Sequence, residues 1–247
     1  MPQTKIRKGA RTVASVDPVV LIALEAGTME SANLTEGLAI NMNRLLSAAA
    51  PQLQADLIDL DKGVVQRMAQ AGALLRDHDL AAELAGHASD TVRGWAAFAV
   101  GQDERIAPMQ RLSAIQAFAS DPHFGVREWA WMAVRAIIVA DPLGSIAQLT
   151  SWTAHADANI RRFASEATRP RGVWAASIPL LRQQPQHGLA ILSPLCRDPH
   201  RYVEDSVANW LNDAAKDRPD WVKDLLADWT KEGIAPRLIN RAGRSLK

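Results

Sequence analysis

Asp157-Ala158-Asn159-Ile160-Arg161 is a short polar turn that ends in a branched apolar residue and a charged one, and the chain returns to this pattern. Asp90-Thr91-Val92-Arg93 is an earlier copy, residues 121–127 close on Val126-Arg127, and residues 198–204 close on Val203-Glu204. The anchors Val92, Val126 and Ile160 stand 34 residues apart each time, and Val203 follows after 43. A repeat of that length with helical patterning marks an α-helical array, each unit offering a helix, a turn and a second helix. The expected fold is therefore an all-α solenoid, a shape whose long inner face suits an extended partner. In each turn the Asp is placed to cap the following helix by accepting hydrogen bonds from its orphan amides.

Working outward, residues 1–16 read as a flexible basic arm carrying Lys5, Arg7, Lys8 and Arg11. Residues 17–247 read as one helical domain, with N-terminal helices over 17–79 and the repeats over 80–247. Apolar residues at helical spacing predict helices over 19–26, 34–49, 53–60 and 64–75, with Gly27 and Pro51 as stop signals. A last pair is predicted over 221–230 and 234–246. The third unit is interrupted by Arg169-Pro170-Arg171-Gly172. Proline biases the residue before it away from helix, so the helix starting near Ile160 should end there. A break in a repeat is where function is to be sought.

Composition narrows the partners. The formal charge of the 247 residues is +1, so the sum does not announce a nucleic-acid binder; the distribution says more. Beyond the N-terminal arm, Arg161, Arg162, Arg169 and Arg171 form a second cluster and Arg237, Arg241, Arg244 and Lys247 a third. Three such clusters on a curved array would give a partly basic concave face fit for a phosphate backbone. Most of the eight Trp are expected to act as spacers between helices, with one or two facing the partner. A lone Cys196 excludes a disulfide framework and suits a reducing cytoplasm. The six His show no HExxH or paired Cys/His spacing, so neither a metal nor another cofactor is expected. No secretory signal core or membrane-spanning run is evident, and an array of this length is expected to stand as a monomer.

Three segments could carry chemistry. Residues 160–174 read IRRFASEATRPRGVW, in which Arg162 shares a helix face with Glu166 and with Arg169. Residues 202–216 read YVEDSVANWLNDAAK, in which Ser206, Asn209 and Asp213 form a polar stripe that asks for a hydrogen-bonding role. Residues 126–135 read VREWAWMAVR, in which Glu128, Trp131 and Arg135 share a face. For each, an exposed salt-bridged helix face stands beside the functional reading.

These segments carry a family resemblance. IRRFASEATRPRGVW is similar to the pattern xRRxASEGxRPRxPW, and YVEDSVANWLNDAAKDRPD is similar to YVRxSVANxLNDIAKDxPD. Together they resemble the signature of the AlkC/AlkD-like DNA alkylation repair proteins, closest to the AlkC branch, and EGLAINMNRLL at 36–46 looks like an N-terminal segment of the same family. The resemblance implies a HEAT-like repeat fold and a DNA glycosylase. It carries the family's acidic positions onto Asp213 and Glu166, its aromatic groove position onto Trp174, and phosphate contacts onto Arg169 and Arg171. A further acid of the family lies in a segment resembling SxEFAIRPF. With its arginine on Arg135, Trp131 occupies the acid's place, and Glu128 one turn away is the substitute. The motif departs at Ala167, at Gly172-Val173, and at Glu204-Asp205, where two acids replace a basic pair and would repel phosphates at a DNA-facing turn.

The resemblance thus implies a protein that releases cationic N3- or N7-alkyl bases from duplex DNA. Asp213, Glu166 and Glu128 are the candidate catalytic carboxylates, which stabilise an oxocarbenium-like sugar and position water. Trp174, Trp131 and Asn209 are the candidate substrate contacts, the indoles stacking on the cationic nucleotide. Arg135, Arg161, Arg162, Arg169 and Arg171 are the candidate phosphate contacts. No obligate protein partner is implied. Two alternatives stay open: a non-catalytic HEAT-repeat DNA-binding protein, favoured by Trp131 at the acid position, and a helical scaffold for protein partners, favoured by the near-zero net charge.

Overall fold

The structure is a computed structural model that describes residues 7–53 and 57–246, and its regular elements there are helical. In chain order they begin with α1 (Pro18–Glu25), α2 (Leu34–Ala39), α3 (Met42–Ala49), α4 (Val64–Asp77), α5 (Ala81–Leu84) and α6 (Asp90–Gly101). Next come α7 (Pro108–Ala114), α8 (Gln116–Ala119), α9 (Phe124–Ala133), α10 (Arg135–Ala140), α11 (Pro142–Thr150) and α12 (Ala158–Ala167). The last are α13 (Pro179–Gln183), α14 (Leu189–Leu195), α15 (Arg201–Ala214), α16 (Pro219–Lys231) and α17 (Pro236–Ala242). They gather into two compact units: the described residues up to Arg105 with Asp121–Ala133, and Ile106–Ser120 with the described residues from Val134 on.

In the first unit the local signals explain α1. Asp17 accepts from the Val19 amide at 2.8 Å, Pro18 opens the first turn, and Gly27 ends it at φ +70°, a left-handed position open to glycine at no steric cost. The single helix expected over 34–49 is instead two, α2 and α3. The Asn41 amide leaves the helical ladder to donate to Glu25, and its side chain caps the new helix by accepting from Asn43 and Arg44. The helix expected over 53–60 does not form among the described residues there. The Asn43 side chain instead holds Ile58, donating to its carbonyl and accepting from its amide, and residues 54–56 lie outside the described residues. Part of the basic arm is tied down rather than free: Arg7 pairs with Glu36, and Asn33 donates to the Ala10 carbonyl. Lys5 lies outside the described residues.

Apolar burial holds each unit together. In the first, α6 packs on α4 and α9, and Trp95 and Phe98 are buried. Gly72 lets α4 and α6 approach closely, since a Cβ there would sit 2.6 Å from that of Phe98. In the second, α12 and α15 pack together and α17 covers α15, with Trp152, Trp210 and Trp229 buried. Burying one tryptophan removes roughly 200 Å² from water, worth at most about 5 kcal/mol, so the indoles are a large share of the core.

The repeated turns work differently from the capping expected. Asp157 does cap α12, accepting from the Asn159 amide. Asp90, however, lies inside α6 and accepts from the amide and hydroxyl of Ser31, while Asp121 and Asp198 close their turns on the amides of His123 and His200. The repeating device is the arginine after each apolar anchor. Nη1 of Arg93 donates to the His87 carbonyl at 2.8 Å, that of Arg127 to Asp121 at 2.7 Å, and that of Arg161 to His155 at 2.9 Å. Arg93 and Arg161 then fork through Nε and Nη2 onto the Asp of a later turn, Asp121 and Asp198. In the fourth turn Glu204 replaces the arginine, and the charges reverse: Arg237 pairs with Glu204 and Asp205. Arg241 pairs with Asp205 as well, so these two acids are compensated by arginines of α17.

Candidate active site

The second unit brings together most of the carboxylates and arginines expected of a site. Glu166 stands in the last turn of α12, and Ser206 and Asp213 lie seven residues apart on α15, which returns them to nearly the same face. The Ser206 hydroxyl donates to Glu166 Oε2 at 2.7 Å, with the Ser165 hydroxyl 2.8 Å from Ser206. Because α12 stops at Ala167, Arg169 turns back between the two helices. Its Nη1 donates to Glu166 Oε1 at 2.7 Å, while Nε and Nη2 both donate to Asp213 Oδ2, at 2.9 and 2.6 Å. Lys216 reaches Asp213 Oδ1 at 3.0 Å. One guanidinium thus bridges two carboxylates that are 4% and 3% exposed.

The electrostatics follow from burial. Burial alone would push the Glu166 carboxyl up, but Arg162 and Arg169 outweigh it and hold the group below its ordinary value. Arg169 is drawn down by burial and raised on balance by Glu166 and Asp213. Two carboxylates this close would repel strongly if alone, since buried like charges are costly without compensation. Arg162, Arg169 and Lys216 supply that compensation by pairing with the two carboxylates. Both oxygens of Asp213 are engaged, Oδ2 by Arg169 and Oδ1 by Lys216.

Next to this centre the chain leaves α12 and runs as a loop to α13. Its neck is closed by the Ile178 amide donating to the Pro170 carbonyl at 3.0 Å. Trp174 stands in the loop at φ +59° and is 48% exposed, and its neighbour Val173 is exposed as well. Arg171 and Arg182 both fork onto Asp217, so two half-exposed guanidiniums share a single carboxylate. Arg182, Asp217 and Arg218 line a cavity of about 290 Å³ with Pro179 and Gln183.

Several expected contacts are placed elsewhere. Arg135 is 3% exposed and donates to the carbonyls of Ala167, Arg169 and Ala176. It is a buried staple, not a phosphate contact; burial and then the nearby Arg169 pull its guanidinium down to about 10. Arg161 is held by its turn and by Asp198, and Arg162 is buried, stacked 4.2 Å over the Tyr202 ring and 3.3 Å from Glu166. Both serve the scaffold. Asn209 lies on the same stripe of α15 as Ser206 and Asp213, and its side-chain oxygen accepts from Arg244 at 3.2 Å. In the first unit Trp131 is 3% exposed, so it offers no open face for stacking, and its Nε1 donates to Glu128 at 2.8 Å. Sequence reading missed Lys216, whose place three residues after Asp213 was available to find it, and Arg182, which only the return of the chain brings to Asp217.

No family model matches the chain. The uncharacterized protein YhaZ of Bacillus subtilis (strain 168) is 39% identical over 116 residues, 47% of this chain and 32% of that protein. The match therefore spans about a third of the relative's length. Among solved structures, the alkylpurine DNA glycosylase AlkC of Pseudomonas fluorescens, bound to DNA containing an abasic site analog, superposes with a TM-score of 0.67 at 24% identity. That superposition covers 96% of this chain and 65% of that one. AlkD2 from Streptococcus mutans superposes with a TM-score of 0.62 at 22% identity, over 78% and 95% of the two chains. The fold is that of the AlkC and AlkD helical-repeat proteins.

Proposed function

We propose that this chain is a DNA repair protein of the alkylation-repair type, an N-glycosylase that releases cationic N3- or N7-alkyl bases from duplex DNA. The observation that carries this reading is the buried Glu166–Arg169–Asp213 bridge, with the exposed Trp174 five residues along the chain from Arg169, in a chain that shares the fold of a glycosylase solved with DNA containing an abasic site analog. A base alkylated at a ring nitrogen already carries positive charge and leaves without acid catalysis. The C1′–N bond breaks with its electron pair moving to the base, and positive charge develops on the sugar. Asp213, with Glu166 behind it, stabilises that charge and orients the water whose oxygen attacks C1′, the released proton passing to the carboxylate and on to solvent. Trp174 stacks on the cationic base. Arg171 and Arg182 grip phosphates, which makes binding strongly salt-dependent. In this reading the protein works on the duplex as a monomer in the cytoplasm, with no cofactor and no obligate protein partner.

A second reading has a specific observation in its favour. Trp131 stands at the acid position of the family motif and ties Glu128 to its indole, which fits a DNA-binding relative without chemistry. Methylated duplex DNA separates the two. Release of methylated bases is the expected outcome; salt-sensitive duplex binding with no release would leave the binding reading and remove the enzyme.

A further inference from the structure

We propose that Arg135 is a positioning residue, a three-point clamp that sets the loop carrying Trp174 and the register of Arg169 between its two carboxylates. The functional part of this inference rests on the reading above; the structural part does not. The guanidinium enters from the first residue of α10 and is almost fully buried. Its Nη1 donates to the Ala167 carbonyl at the end of α12, and its Nη2 to the Arg169 carbonyl at the start of the loop. Its Nε donates to the Ala176 carbonyl on the returning strand of the loop. All three contacts are 2.7 Å long.

The choice of arginine follows from this geometry. A planar fork presents donors at fixed angles, so three carbonyls on two strands of one loop are fixed relative to each other. An ammonium offers three donors from a single point and cannot span them. The clamp answers a local need. The last carbonyls of a helix lack intrahelical partners, and here Pro170 removes the amide that would begin to supply one. Trp174 in turn adopts a left-handed backbone that a residue with a Cβ rarely holds unaided. A stem gripped on both sides keeps that conformation and points the exposed Val173–Trp174 tip in one direction. Since Arg169 donates its side chain to Glu166 and Asp213 while its carbonyl is held by Arg135, one buried residue fixes both the aromatic tip and the charged centre.

The test compares wild type with Arg135→Lys in the full chain, reading amide hydrogen exchange without DNA and then single-turnover base release with DNA. Exchange at Ile178, whose amide closes the loop neck, should rise by about tenfold or more while interior amides of α12 and α15 keep their protection. Base release should fall in its chemical step with little change in the affinity for undamaged duplex. Unchanged exchange at Ile178, or an equal rise throughout the unit, would overturn the clamp. If Arg135→Lys does not fold, Arg135→Gln, which removes the buried charge and keeps two donors, carries the same comparison; failure of both to fold would also overturn it, since a loop clamp leaves the rest of the unit standing. Base release absent already in wild type would refute the glycosylase reading and leave the exchange result to decide the clamp.

Discussion

Two sets of arginines share one spacing and do different work. Arg93, Arg127 and Arg161 follow the apolar anchors at intervals of 34 residues, and each staples its own turn through backbone carbonyls. Arg135 and Arg169 are also 34 apart, each eight residues beyond one of those staples, yet one clamps a loop and the other bridges two buried carboxylates. At the turns, the next helix begins at once and the arginine is absorbed into scaffold. At the end of α12, Pro170 stops the helix, the chain swings out, and the same periodic position faces a charged centre. Periodicity thus locates structure, and the place where it fails locates the candidate chemistry.

The contrast can be broken most severely at Arg169. Arg169→Ala would leave Glu166 and Asp213 buried with their shared partner gone, and urea denaturation should show a loss of about 3–5 kcal/mol. A change under 1 kcal/mol would mean that solvent reaches the centre and the bridge is not its main support. Arg161→Ala removes a fork onto Asp198 and two carbonyl contacts, so it should lower stability by about 2–3 kcal/mol while base release per folded molecule stays the same. A selective loss of base release there would erase the distinction between scaffold and site.

Acid titration sharpens the comparison with a smaller effect. The folded-state value of Glu166 lies below its ordinary 4.5, so its stabilising contribution is fully present above that value and is lost as pH falls through the lower, folded one. Wild type should therefore lose more stability than Glu166→Gln on acidification below about pH 4.5. Parallel losses would show that Glu166 is not ionised within the bridge. The smallest effect on stability belongs to Trp174→Ala, expected within about 0.5 kcal/mol because the side chain is half exposed. The same variant should weaken binding to a duplex holding an alkylated base by about tenfold, the scale of one aromatic stacking contact. Unaltered affinity would remove Trp174 from the contact surface.

Much of the architecture was legible because it rests on local rules. The restart of the turn, the stop at Pro170 and the caps at Asp17 and Asp157 are set by residues within a few positions of one another. Motif resemblance singles out Glu166 and Asp213 one by one; that Arg169 bridges them is not legible, because the contact to Asp213 spans 44 residues of chain. What could not be read was where each charge finds its partner. Arg135, Arg161 and Arg162 look alike as basic residues, and only long-range packing decides that all three turn inward. The same holds for Glu204 and Asp205, acidic in sequence and paired with Arg237 and Arg241 from α17. The break at Asn41 was hidden because its helical periodicity is intact; the cause is a buried carboxylate, Glu25, sixteen residues earlier.

The most direct test of the central claim is release of methylated bases from duplex DNA treated with a methylating agent, run side by side with wild type, Asp213→Asn and Arg161→Ala. The account predicts release by wild type, a fall of about 100-fold or more in Asp213→Asn with duplex binding kept, and a normal rate per folded molecule in Arg161→Ala. Release that survives Asp213→Asn undiminished, or no release by wild type at all, would contradict it.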